Sequence, residues 1–118
     1  MNTARLQKRA RLLKAREFQQ VFDQSVRSSD RYFTVLARQN ALKQPRLGLA
    51  ISKRKAKLSV QRNRLKRLVR ESFRQSEHAN VDYVVMAGQQ SSTAPNTVLF
   101  QSLNKHWRIL KEKCEPSC

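Results

Sequence analysis

Histidines, cysteines and carboxylates are the side chains from which a protein enzyme most often builds its chemistry, and in this chain they are few and scattered. The histidines are His78 and His106, and the acids are Glu17, Asp23, Asp30, Glu71, Glu77, Asp82, Glu112 and Glu115. A histidine-dependent nuclease needs two acid–base groups or a metal-bound water. The spacing offers neither histidine a nearby nucleophile, and the acids form no evident two-metal set. His106, next to Trp107, reads as a partly exposed helix residue. Cys114 and Cys118 have no second ligand pair nearby, so they read as free thiols of a reducing compartment rather than a zinc site. A disulfide between them would close only a small loop. With two glycines, Gly48 and Gly88, there is no glycine-rich phosphate loop. No catalytic residue and no metal ligand is assigned, and any bond-breaking chemistry is expected from a partner.

What the sequence does supply is positive charge. It carries 25 Lys and Arg against 8 Asp and Glu over 118 residues, a net charge of +17. Self-repulsion on that scale opposes folding, and a polyanionic partner relieves it. The cations cluster. Between residues 53 and 74 lie Lys53, Arg54, Lys55, Lys57, Arg62, Arg64, Lys66, Arg67, Arg70 and Arg74, with Glu71 the single acid. At about 100° per residue, Leu65, Leu68, Val69, Ser72 and Phe73 share one side of a helix. Asn63, Arg64, Lys66, Arg67, Arg70 and Arg74 occupy the opposite arc. Arg62 falls at the boundary, its stem able to pack beside Phe73 while the guanidinium reaches solvent. Phosphates would relieve the like-charge contacts at helical-neighbour spacing, and Asn63 can both donate and accept toward a 2′-hydroxyl or a base edge. A membrane-surface helix fits less well, because the apolar side is narrow and interrupted by Ser72 and Ser76.

These residues need a scaffold. Phe18, Val21 and Phe22, at i, i+3 and i+4, predict a short amphipathic helix over 15–24. Residues 32–38 read as a strand on β-branched and aromatic content, and 40–45 as a turn. Residues 46–53 alternate Leu47, Leu49 and Ile51 with smaller or polar residues, a strand in which Gly48 suggests a bulge or close backbone approach. Ser59 is the expected N-cap of the basic helix, which runs to Gln75. The apolar run 81–87 predicts a strand buried on both faces, and a polar loop over 89–95 leads to a helix over 97–113 with Leu99, Leu103, Trp107 and Leu110 on one stripe. This order predicts a single α/β domain over 15–113, with helices covering a small sheet. Residues 1–14 are expected to be basic and loosely ordered, and 114–118 a tail. No run approaches the roughly 20 apolar residues that span a bilayer, and residues 1–16 lack the apolar stretch of a secretory signal, so the cytoplasm is expected.

The segment Arg62 to Arg74, Arg-Asn-Arg-Leu-Lys-Arg-Leu-Val-Arg-Glu-Ser-Phe-Arg, closely resembles the signature of the protein subunit of bacterial ribonuclease P. The resemblance extends through Arg-Leu-Gly-Leu-Ala-Ile-Ser-Lys-Arg (46–54), the phenylalanine-bearing first helix, the strand after the signature and the final helix. It thus covers residues 11–113. It implies a two-layer α+β sandwich in α-β-β-β-α-β-α order with a left-handed βαβ crossover, and hence one further strand pairing around residues 32–53. In that family an RNA subunit with bound magnesium removes the 5′ leader of precursor transfer RNA, and the protein assists, so one protein per ribonuclease P RNA is expected and no small-molecule substrate. Carried over by residue, Lys53, Arg54, Arg62, Asn63, Arg64, Lys66, Arg67 and Arg70 would face the RNA subunit. Phe18, Phe22 and Phe33 would line a cleft for the single-stranded leader, as aromatic platforms in positive grooves commonly do. Plain core packing is the competing reading of the phenylalanines. Leu36 stands where some relatives carry an aromatic. A structural RNA-binding protein such as a ribosomal component would share the size and charge. A DNA-binding helix-turn-helix is disfavoured by the strand predicted where its first helix should be.

Overall fold

A computed structural model describes residues 15–23, 25–40, 44–76, 78 and 81–114. The expectations for residues 1–14 and for Cys118 lie outside these. Among the described residues the order is α1 (Ala15–Asp23), β1 (Val26–Ser29), β2 (Phe33–Gln39), β3 (Arg46–Ala50), α2 (Ser59–Gln75), β4 (Val81–Ala87) and α3 (Asn96–Cys114). The strands form one mixed sheet in the order β1-β2-β4-β3. β4 is its spine, antiparallel to β2 (Phe33 opposite Ala87) and parallel to β3 (Leu47 opposite Tyr83). α2 therefore bridges a parallel pair, the crossover that parallel neighbours require.

Period-two alternation divides the sheet into two faces. Phe33, Val35, Ala37, Leu47, Val81, Tyr83 and Val85 point to one side, where α2 and α3 close the main core with Leu65, Phe73, Leu103 and Trp107. Leu36 and Val84 point to the other side, where Val21 of α1 seals a smaller cluster flanked by Phe18, Ala50 and Met86. Burial on both faces explains why β4 reads as a nearly continuous apolar run, broken only by Asp82. All five residues of the expected α2 stripe are buried. Ser72, which reads as an interruption, accepts a hydrogen bond from the Trp107 indole at 2.8 Å and so locks α3 onto α2.

Four expectations change. The additional strand is β1, which lies N-terminal to residues 32–53; its sequence, Val-Arg-Ser-Ser, is too polar to announce itself, and only Ser28 is buried. Leu58, not Ser59, is the N-cap of α2. A leucine side chain has no acceptor, so the helix start is closed from the other side, by the Leu58 N–H donating to Gln61 Oε1 at 3.2 Å. The β3 register runs through Gly48 without a bulge. The close backbone approach belongs to Gly88, where an added Cβ would lie 2.5 Å from the Arg31 carbonyl oxygen. Finally, α3 includes Cys114, which the sequence pattern assigns to the tail.

Candidate nucleic-acid interface

α2 is amphipathic by charge as well as by hydropathy. With its apolar stripe against the sheet, Asn63 and Arg67 are exposed, and Lys66 and Arg70 half-buried, on the outward arc. Lys53 and Arg54 are exposed in the turn that precedes the helix. That turn is held by the Ala56 N–H donating to the Ser52 carbonyl at 3.1 Å. Arg62 fastens it to α2: its Nη1 donates to the carbonyls of Ala56 and Lys57, both at 2.9 Å. The guanidinium expected to reach solvent thus turns back onto the chain and fixes where Lys53 and Arg54 stand.

Arg64 is tied down as well. Its Nε donates to Asn96 Oδ1 at 3.0 Å, its Nη1 to the Ser92 carbonyl at 3.2 Å and its Nη2 to the Ala94 carbonyl. All three partners lie in the β4–α3 connection or at the first residue of α3, so Arg64 clamps that connection against α2. Its donors are directed into the fold, whereas the sequence pattern directs them toward RNA. Of the eight positions expected to face RNA, Asn63, Lys66, Arg67 and Arg70 lie on the outward arc of α2 and Lys53 and Arg54 in the turn before it, while Arg62 and Arg64 donate to carbonyls of the protein itself.

The second surface lies between α1 and the sheet. Val21 is the anchor, wholly buried, while Phe18 is half-buried and Phe22 is 42% exposed. Phe33 is not part of this cleft. The alternation of β2 sends it to the opposite face, where it has no exposed surface and packs in the main core. Leu36, in the other phase of the strand, is the β2 residue under α1. The same phase carries two cations that sequence reasoning missed: Arg27, paired with Leu36 across β1 and β2, and Arg38, paired with Asp82 on β4. A period-two count from Leu36 would have found Arg38; Arg27 was hidden with its strand. Arg46 also lies at this level, but Asp82 neutralises it through two hydrogen bonds of 2.8 Å. Asn40 adds a third to the same carboxylate at 2.7 Å.

Contrary to the sequence-based expectation, His106 is fully buried and has a hydroxyl beside it. Ser28 Oγ lies 2.6 Å from His106 Nδ1, and Asp30 Oδ2 lies 3.2 Å from Nε2. The missed strand β1 is what covers this histidine. The constellation has the elements of a serine–histidine–aspartate triad, but it is sealed: Ser28 is 8% exposed and His106 not at all. A triad serine must keep its hydroxyl open to substrate, and this one cannot. Asp30 is further occupied by the Ser102 hydroxyl at 2.7 Å, the Lys105 ammonium at 3.1 Å and the backbone N–H groups of Tyr32 and Phe33. Burial opposes its ionisation, but these donors win and hold its carboxyl far below the usual range. Burial lowers His106 despite the nearby carboxylate, leaving it neutral and structural. His78 stacks on Phe73 at 4.1 Å with its Nε2 2.6 Å from the Phe73 carbonyl, and burial pushes it down to about 4.

Among the described residues no three His, Cys, Asp or Glu side chains gather as a metal set, and no helix is long and apolar enough to cross a membrane. Comparison with known proteins points one way. The ribonuclease P family model matches residues 6–111. The ribonuclease P protein component of Methylococcus capsulatus is 50% identical over 109 residues, covering 91% of this chain and 85% of that protein. That of Vibrio parahaemolyticus is 44% identical over 112 residues, covering 93% and 95%. Among solved structures, the RNase P protein of Staphylococcus aureus superposes with a TM-score of 0.80 at 28% identity, covering 86% of this chain and 95% of that one. The RNase P protein from Thermotoga maritima gives a TM-score of 0.74 at 28% identity, covering 86% and 96%.

Proposed function

The chain belongs to the ribonuclease P protein family, the protein subunits of a ribonucleoprotein endoribonuclease that matures the 5′ end of transfer RNA, and on that premise we propose how its two surfaces divide the work. The outward arc of α2, through Asn63, Lys66, Arg67 and Arg70 together with Lys53 and Arg54, docks on the ribonuclease P RNA. The cleft between α1 and the sheet, through Phe18 and Phe22 with Arg27 and Arg38 alongside, receives the single-stranded leader of precursor transfer RNA. One protein serves one RNA, in the cytoplasm. Magnesium for the hydrolysis belongs to the RNA subunit.

The observation that carries this reading is the partition of α2. A helix that buries Leu65, Leu68, Val69 and Phe73 on one side turns cations outward on the other. Such an arc displaces the counterions condensed on RNA phosphates, so affinity falls steeply with salt. The aromatic side chains of α1 supply what the outward arc of α2 lacks, flat apolar surface for unpaired bases. Arg62 and Arg64 act as positioning residues that fix the docking surface to the rest of the fold.

Leader binding is tested by comparing precursor with mature transfer RNA on the assembled enzyme. Base–aromatic stacking is worth about 1–3 kcal/mol, so Phe22→Ala is expected to weaken the precursor by about tenfold and leave the mature form unchanged. Phe33→Ala should instead lower stability by about 3 kcal/mol or more, as a large-to-small change in a core does. Equal loss of both RNAs in a folded Phe22→Ala protein would refute the cleft.

A further inference from the structure

A cavity of about 150 Å³ lies between α2 and the start of α3, lined by Arg64, Arg67, Leu68, Glu71, Asn96 and Phe100. A water molecule takes about 30 Å³ of liquid volume, so this half-open space is that of several waters. Its walls are held in advance, because Arg64 bonds Asn96 and the carbonyls of Ser92 and Ala94. Leu68 belongs to the buried stripe of α2, and Phe100 packs half-buried against the core.

Glu71 is the odd member. It is the single acid of a 17-residue helix dominated by cations. It sits one turn from Arg67, a spacing at which opposite charges commonly meet. Yet among the described residues no ion pair or hydrogen bond engages either side chain. On a surface that approaches phosphates, an unengaged carboxylate repels the ligand. It becomes an asset only when the ligand brings donors to it.

We propose that this cavity takes an unpaired guanine base of the bound RNA. Guanine presents two adjacent donors, N1–H and the N2 amino group, which match the two oxygens of the Glu71 carboxylate, while Arg67 at the rim stays available to the backbone phosphate. Adenine and cytosine each offer one amino group beside a ring acceptor that faces the carboxylate lone pairs. Uracil offers one N–H between two carbonyls. The Phe100 ring and Leu68 give the base an apolar contact, as unpaired bases receive in sequence-specific RNA recognition. The proposal rests on α2 facing RNA and adds base selectivity to a surface otherwise explained by phosphates alone.

The test is footprinting with a glyoxal reagent that adds across guanine N1 and N2. It is applied to ribonuclease P RNA with the full-length protein, and again after adding leader-bearing precursor transfer RNA. Wild-type protein should shield a guanine that Glu71→Gln and Phe100→Leu leave about tenfold more reactive, with other protections retained. Glu71→Gln should also weaken RNA binding by about tenfold, whereas removing a negative charge from a purely electrostatic surface would tighten it. A shielded guanine in the ribonuclease P RNA identifies that molecule as the source, and one in the precursor identifies the other. An identical footprint for wild type and Glu71→Gln, or tighter binding by the variant, would overturn the pocket alone. Failure of the wild-type protein to bind RNA would overturn the docking surface and the pocket with it.

Discussion

Arg64 and Arg67 stand three residues apart in the segment that identifies the family, yet the fold uses them differently, and the difference is measurable. Arg64 donates three hydrogen bonds to Ser92, Ala94 and Asn96 and is half-buried, whereas Arg67 is exposed and unengaged among the described residues. A protein hydrogen bond contributes about 0.5–1.5 kcal/mol net, and partial exposure places these toward the lower end, so Arg64→Ala costs about 2 kcal/mol. For a domain of this size 1 kcal/mol corresponds to about 4 °C, so its melting temperature should fall by about 8 °C. Arg67→Ala should melt within about 2 °C of wild type, as surface changes do. The RNA readout inverts the order. In a titration of ribonuclease P RNA across salt concentrations, Arg67→Ala should reduce the slope of log affinity on log salt by about one, the signature of one lost phosphate contact. Arg64→Ala should leave that slope near the wild-type value. An Arg64→Ala protein that melts like wild type and loses a full unit of slope would show that its guanidinium is spent on RNA, and the clamp would be refuted.

Two further expectations follow from the buried polar groups and the tight turn. His78 is held down to about 4 by burial, against an ordinary value of 6.5, so between those values the unfolded chain binds the extra proton. Stability should thus be fully present above pH 6.5 and decline as pH falls toward 4, with His106 acting in the same direction and Asp30 continuing the loss below the ordinary carboxylate range. Urea unfolding across pH checks this; a flat profile over that window, or the same slope in His78→Phe, would contradict it. Gly88→Ala places a Cβ 2.5 Å from the Arg31 carbonyl oxygen and disturbs the Gly88 N–H bond to the Tyr32 carbonyl. It is expected to lower stability by about 2 kcal/mol, in the range of overpacking changes, and an unchanged urea midpoint would show that the β2–β4 end yields freely.

The architecture was legible where hydrophobic periodicity speaks, as in the α2 stripe from Leu65 to Phe73 and the doubly covered run from Val81 to Ala87. It was silent where an element is held by partners rather than by its own pattern. β1 has one buried residue, Ser28, and is defined by pairing with β2 and by the hydroxyl contact to His106. Missing β1 made His106 look exposed and concealed Arg27. The charged arc of α2 was also legible, but charge cannot distinguish a guanidinium offered to solvent from one folded back on carbonyls, which is the case for Arg62 and Arg64. Phe33 was misassigned for a related reason: aromatic character is visible in a sequence, while the strand face that carries it depends on which helices lie on which side. Val35 and Leu36 are adjacent on β2, yet the first packs in the main core and the second under α1. A single step of strand phase decides between core and cleft.

The proposed function makes this protein the assistant of an RNA that does the cutting. Its most direct test is cleavage of a leader-bearing precursor transfer RNA by ribonuclease P RNA at low magnesium, with and without the full-length protein. The expected result is 5′-leader removal that is slow with RNA alone and strongly accelerated when the protein is added, the protein alone being inactive. Cleavage no faster with the protein than with RNA alone, or cleavage by the protein alone, would contradict it.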